Sequence, residues 1–364
     1  MDESLLKREE RAVFALRGLY KRHGYLPFKM SKFEEYELYA RNKDFLSSER
    51  IISFTDLNGR LMALKPDVTL SIIKRAEDCP GVKQRFCYDE SVYRPSGGSG
   101  SFREITQTGL ECIGDLNSYD IFEVVSLALE SLEQVSGDYV LALNHLGLLT
   151  ALLEETGAAG ELRRELSACI AGRNLHDLRR LAAEQGLDAE RLCACAAVYG
   201  RPEEALEKLG ALCSGGKARA ALEELGELLR LLEAEGRAER IRFDFSLVSD
   251  TQYYNAVVFR GYLPGAAESV LAGGEYDGLM RRMGHRARGI GFALYLDRLE
   301  ELGQERQWDV DVLLLCDAAS DAGAILAQVK ELNARGLSVS VQNAVPEKLR
   351  CREILDRRGE AAKC

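Results

Sequence analysis

No apolar run in this 364-residue chain approaches the ~20 successive residues that a bilayer-spanning helix needs, so a membrane partner is not expected. The opening MDESLLKREERA is charged from its second residue and lacks the apolar core of a signal peptide. The expected compartment is the cytoplasm. A basic excess is missing too: 58 Asp and Glu against 48 Lys and Arg give a formal charge of -10. Proteins that grip phosphate backbones usually show a basic face, because neutralised phosphates release counterions. Nucleic acid is therefore not expected as the main partner. Zinc-ligand spacing is also absent. The ten cysteines are scattered, and Cys193 and Cys195 form C-x-C with no second ligand pair behind them. Cysteines of this kind read as small buried hydrophobes in a reduced compartment, and neither a metal nor a cofactor is expected.

What is present is an ordinary globular balance, 46% apolar and 29% charged, in a chain long enough for two or three domains. Residues Leu5, Leu6, Val13, Leu16, Leu19 and Tyr20 recur at helical spacing up to about Gly24. From Tyr25 to Leu143 the text is mostly short β-like runs. IISFTDLNGRLMAL reads as a hairpin turned at its Asn-Gly, and two extended runs flank SGGSG. Tyr119–Val135 is helical in pattern, and DYVLALNHL is a strand. Between about Gly147 and Arg240 the composition turns to Ala, Leu, Glu and Arg, all helical by propensity. Strand text resumes at Ile241 with IRFDFSLV, YYNAVVFRGYLP and SVLAGGEYDGLM, and IGFALYLDRLEEL reads as a closing helix. After GQERQW come a strand, the helix DAGAILAQVKELNARG and the strand LSVSVQN. EKLRCREILDRRGEAAKC reads as a last helix, a solvated face by default and a docking face as second choice.

Certain strings carry more. LKPDVTLSI, REITQTGLE, QYYNAVVF, AGGEYDGL and IGFALYLDRL occur in that order. In order and spacing they resemble the histidyl-tRNA synthetase family, with its helical insertion between them and its strand–helix–strand tail after them. YDESVYRP, SLVSDTQYYN and GGEYDGL resemble most the regulatory subunits of ATP phosphoribosyltransferase, a paralogous family. The resemblance implies an α+β fold, a class II aminoacyl-tRNA synthetase-like antiparallel sheet flanked by helices. It divides the chain into a core at 1–146 and 241–305, a helical insertion at 147–240 and a small α/β domain at 309–364. It further implies a non-catalytic subunit that binds L-histidine, needed for the activity and feedback control of a short-form ATP phosphoribosyltransferase catalytic subunit. A homodimer within a hetero-oligomer is the implied assembly. Two alternatives stay open, an active histidyl-tRNA synthetase and a sensor of tRNA-like ligands.

Carried over residue by residue, Asp67 and Thr69 sit where the family holds the α-amino group. Asp67 stands in place of the family's longer glutamate. Gln107 and Glu111 lie where the family contacts the amino acid, and their even spacing puts them on one face of a strand. Read alone, that pair is more often a solvated face. Tyr253, Tyr254 and Tyr276 match tyrosines that border the imidazole, though such tyrosines otherwise serve packing. Gly273 and Gly274 match glycines that allow backbone to approach a ligand, where a turn is the plainer reading.

Against these, the family's cations look depleted. Its Arg-x-Glu-Arg-Pro pattern appears here as Ser91-Val92-Tyr93-Arg94-Pro95. A second family arginine, before the tyrosine pair, is replaced by Ser249 beside Asp250. Each missing transition-state donor is worth ~3–4 kcal/mol, so amino-acid activation is not expected. The segment between Arg94 and Arg103 contains no Lys or Arg. Arg94, Arg103 and Arg298 remain as vestigial anion-binding candidates. For Arg103 and Arg298 a structural ion pair is the preferred reading; for Arg94 a ligand carboxylate and a surface salt bridge stand level. The tail opens on the acidic run WDVDVLLLCDAASDAG and ends on a mildly basic segment with interleaved acids, and it reads as shorter than the family's anticodon-binding domain.

Overall fold

The computed structural model describes residues 6–46, 51–95, 101–248, 253–302 and 308–359. Two compact units divide the chain, Met1–Leu302 and Gly303–Cys364.

In the first unit helix α1 (Arg8–Arg22) precedes strand β1 (Leu26–Pro27). A small antiparallel sheet follows from β2 (Phe33–Glu35), β3 (Ser53–Thr55) and β4 (Leu61–Leu64), with α2 (Tyr36–Arg41) between its first two strands. The expected Asn-Gly hairpin is the β3–β4 turn, tied by Asp56, whose Oδ1 accepts the amides of Asn58 and Arg60. Next come α3 (Thr69–Ile73) and two long strands, β5 (Lys83–Pro95) and β6 (Phe102–Gly114). Helix α4 (Ser118–Val135) is started by a reciprocal cap: Asn117 accepts the Asp120 amide and Asp120 accepts the Asn117 amide. It buries Val124, Val125, Ala128 and Leu132, the spacing of one helical face.

After β7 (Val140–His145) come helices α5 (Leu146–Glu155), α6 (Gly160–Ala171), α7 (Leu175–Glu184), α8 (Ala189–Ala196), α9 (Pro202–Leu212) and α10 (Gly216–Ala234). The region is not wholly helical, because β8 (Tyr199–Gly200) pairs with β9 (Ile241–Asp244). Its buried residues, among them Leu166, Leu178, Leu192 and Leu225, join the same apolar cluster as Leu143 and Ile241 of the sheet. The unit closes with β10 (Val257–Tyr262), β11 (Leu271–Glu275), α11 (Asp277–Arg282), β12 (Arg288–Tyr295) and α12 (Leu296–Glu301).

The main sheet has nine strands in the order β1-β5-β6-β12-β11-β10-β7-β9-β8. Its centre, β5 to β7, is antiparallel, while β1–β5 and β7–β9 pair in parallel. The fold is α+β, as the sequence implies. The expected helix over IGFALYLDRLEEL is corrected: its first half is β12, and only Leu296 onward turns helical. Ala and Leu favour helix locally, but β12 lies between β6 and β11, where burial and pairing outweigh propensity.

The second unit is a parallel sheet, β14-β13-β15, from β13 (Val310–Leu315), β14 (Val339–Gln342) and β15 (Cys351–Asp356), with α13 (Ala322–Ala334) crossing from β13 to β14. The run Val312–Leu315 is buried throughout, as a central parallel strand requires. The expected last helix is also corrected, because CREILD is β15, held by pairing with β13. No helix among the described residues is long and apolar enough to cross a membrane.

Candidate histidine site

The main sheet's two faces serve different ends. One packs on α1, α4 and the inserted helices. The other meets α3, α11 and the small sheet, and carries Tyr88, Val92, Ile105 and Tyr276. The unbroken β5–β6 register pairs Tyr88 with Gly109, Glu90 with Gln107 and Arg94 with Arg103. Directly paired residues share a face, so all of these lie on the side of Glu111.

Glu111 is 2% exposed and is the centre of the site. Its Oε1 accepts from Thr69 Oγ1 at 2.7 Å and its Oε2 from the Tyr276 hydroxyl at 2.6 Å. Three elements therefore converge on one carboxylate: β6, the start of α3 and the residue before α11. Burial pushes Glu111 up to about 8, with nearby Asp67 adding to the rise and the two hydroxyl donors opposing it. Room for the carboxylate comes from Gly291, where an added Cβ would lie 1.8 Å from Oε2. Likewise a Cβ at Gly289 would lie 2.2 Å from the Tyr276 ring.

Asp67 stands beside this group. Its Oδ1 accepts the Leu70 amide at 2.9 Å, and its Oδ2 is 3.9 Å from Arg94. Burial raises its pKa, against the pull of Arg94. The Tyr253 ring sits 4.8 Å from Tyr254 and 6.2 Å from Tyr276. Burial holds the Tyr253 and Tyr276 hydroxyls far above their usual range, so they remain protonated donors. Gln107 is 3% exposed on the same face; the solvated-face reading does not apply to this pair. The structure thus brings Asp67, Thr69, Glu111, Tyr253, Tyr254 and Tyr276 together.

The two glycines part company. Gly274 is filled by Tyr254, whose Cδ1 would be 2.8 Å from a Cβ there. Gly273 turns to the other face, where a Cβ would meet Phe292 at 2.5 Å and Phe259 at 2.7 Å, so its role is close strand packing.

The arginines also separate. Arg94 donates to the Pro66 carbonyl at 2.9 Å beside Asp67, and exposed Arg103 stands opposite it. Arg298 is an ion pair, 2.5 Å from Glu268, bonded to the Ser269 carbonyl and stacked 4.5 Å over Tyr295. Ser91 requires a correction. Its register partner is Thr106, with the hydroxyls 3.4 Å apart, so its side chain points to the face opposite Glu111. A cation missing at position 91 therefore leaves no gap at this site. The site-face position is Glu90, bonded at 2.5 Å to fully buried Lys65. Ser249, Asp250 and the segment 96–100 lie outside the described residues.

Sequence reasoning missed Lys65, Tyr88, Glu90, Gly289 and Gly291. Alternation along YDESVYRP would have found Tyr88 and Glu90 once the strand pairing was known. Nothing local marks the glycines, because what they accommodate comes from elsewhere in the chain. Among the described residues, no three His, Cys, Asp or Glu side chains group as metal ligands. Burial raises the Cys112 and Cys195 thiols to about 12, which makes them poor nucleophiles.

Residues 1–299 match the family described as histidyl-tRNA synthetase. An ATP phosphoribosyltransferase regulatory subunit from Symbiobacterium thermophilum is 32% identical over 86% of this chain and 78% of that protein. A solved ATP phosphoribosyltransferase regulatory subunit/histidyl-tRNA synthetase from Bacillus halodurans superposes with a TM-score of 0.76 at 23% identity, over 97% of this chain and 94% of that one. A chain of an ATP phosphoribosyl transferase (HisG:HisZ) complex from Thermotoga maritima gives a TM-score of 0.63 at 22% identity, over 79% of this chain and 97% of that one. At these identities the two structures speak for the fold.

Proposed function

This chain belongs to the ATP phosphoribosyltransferase regulatory subunit family, built on the histidyl-tRNA synthetase core, and on that premise we propose that it binds free histidine and thereby controls a catalytic partner. The observation that supports this reading is the buried Glu111 carboxylate, held by Thr69 and Tyr276 next to Asp67 and two more tyrosines. Histidine carries an ammonium group and an imidazole with two nitrogens. Asp67 and Thr69 suit the ammonium, Glu111 and the tyrosine hydroxyls suit the ring nitrogens, and the tyrosine rings pack its faces. Arg94, beside Asp67, suits the carboxylate.

The partner in this reading is a short-form ATP phosphoribosyltransferase catalytic subunit, and the assembly is a homodimer inside a hetero-oligomer in the cytoplasm. Histidine bound with different affinity in two states would bias them by a coupling of ~1–3 kcal/mol. The test adds purified chain to the short-form catalytic subunit. Transferase activity should rise on mixing and fall when histidine is added, and calorimetry on this chain alone should detect histidine. Absence of histidine binding sinks the reading.

One observation favours a second reading, an active histidyl-tRNA synthetase: Arg94 and Arg103 share the site face, and Ser91 does not mark a lost cation there. Histidine-dependent ATP–pyrophosphate exchange separates the two. On the regulatory reading the pure protein shows none.

A further inference from the structure

We infer that Arg288 is a positioning residue for the amino-acid site, clamping the two carboxylates that flank Tyr276 and so setting where its hydroxyl meets Glu111. The inference rests on the histidine reading above. Residues 275 to 277 run as Glu-Tyr-Asp from the end of β11 into α11. Arg288, the first residue of β12, donates to Glu275 Oε2 at 2.5 Å and to Asp277 Oδ2 at 3.2 Å. One guanidinium thus spans the residues on either side of the tyrosine.

The neighbouring backbone completes the grip. The Tyr276 amide donates to the Gly289 carbonyl at 2.9 Å, and the Gly289 amide donates to Asp277 Oδ1 at 3.1 Å. Position 289 must be small, since a Cβ there would enter the Tyr276 ring. Two consecutive residues, Arg288 and Gly289, therefore form a receptor for three, with the tyrosine as its cargo. Glu275 is 3% exposed and also accepts the Val257 amide at 3.1 Å, so losing Arg288 strands a buried carboxylate at the root of the tyrosine. Lysine is no substitute, because a point charge lacks the fork that reaches both acids.

The clamp is outside the site, so it acts on the ligand through the placement of Tyr276. Calorimetric histidine titrations of wild type, R288Q, R288K, Y276F and the R288Q/Y276F double variant test it. R288Q should weaken binding about 10- to 100-fold, with R288K failing to restore it. In the Y276F background R288Q should add little, because the residue it positions has already lost its hydroxyl. The pH midpoint of histidine affinity should move up in R288Q as in Y276F, since Glu111 loses a donor; Thr69, Asp67, Tyr88 and Tyr253 still face it. If R288Q fails to fold, D277N removes one arm of the clamp and should show the same pH displacement at smaller size. R288Q binding like wild type, or penalties that add in full, overturns the clamp alone. Wild type that binds no histidine overturns the clamp and the histidine reading together.

Discussion

At the scale of single residues the molecule turns on a carboxylate kept out of water. Glu111→Gln keeps the shape and removes the capacity to ionise, and calorimetry at pH 8 should show histidine affinity falling by about 100-fold, because the charge-assisted bond that the carboxylate accepts from the imidazole N–H is lost. With Glu111 at about 8 in the empty site, affinity for histidine should rise with pH up to that value. Stability should move the other way. An unfolded glutamate releases its proton near 4.5, whereas the folded one keeps it to about 8. Between those values the folded state holds more protons, so the contribution is full below 4.5 and is lost as pH rises through 8. Urea titrations at pH 5 and pH 8 should show wild type losing more stability than Glu111→Gln over that interval.

Elements, rather than residues, decide where that carboxylate can sit. Strand β12 approaches Glu111 at Gly291, and Gly291→Ala would put a methyl carbon on the Glu111 oxygen. Histidine binding should suffer by at least about tenfold, with a smaller change in melting temperature than a core truncation gives. Among the inserted helices the matching device is Glu155 at the end of α5. It accepts from Arg191, from the Ser214 amide and hydroxyl at 3.2 and 2.7 Å, and from the Gly215 amide at 2.8 Å, tying α5 and α8 to the turn before α10. Burial works to raise its pKa, but these bonds outweigh it and hold the group at about 2. Its contribution is therefore present above about 4.5 and lost as pH falls towards 2. Glu155→Ala should cost about 2–4 kcal/mol in urea denaturation at pH 7 and flatten the acid limb of the stability curve.

For the whole molecule, two compact units make a prediction about separability. The first has its own extensive apolar core and holds every described residue of the site. A chain ended after Leu302 should fold and bind histidine within about twofold of the full protein by calorimetry, as expected when affinity depends on groups in one unit alone. If the second unit serves the partner instead, the truncated chain should still bind histidine while failing to raise transferase activity.

Local text was enough for α1, α4, α13 and the β3–β4 hairpin, whose periodicity, caps and turn residues act within a few positions of one another. Ordered strings were enough for the family, and they named six residues that do gather at one place. Strands β12 and β15 were hidden, because Ala, Leu, Arg and Glu favour helix until a neighbouring strand supplies partners for the backbone. Register was hidden as well. A shift of one residue turns a side chain to the opposite face, so only the β5–β6 pairing could show that Ser91 points away from Glu111 while Arg94 and Arg103 share its side. Sequence determines which side chains are available; the sheet's pairing determines which of them meet, because no stretch of chain encodes its neighbour's position.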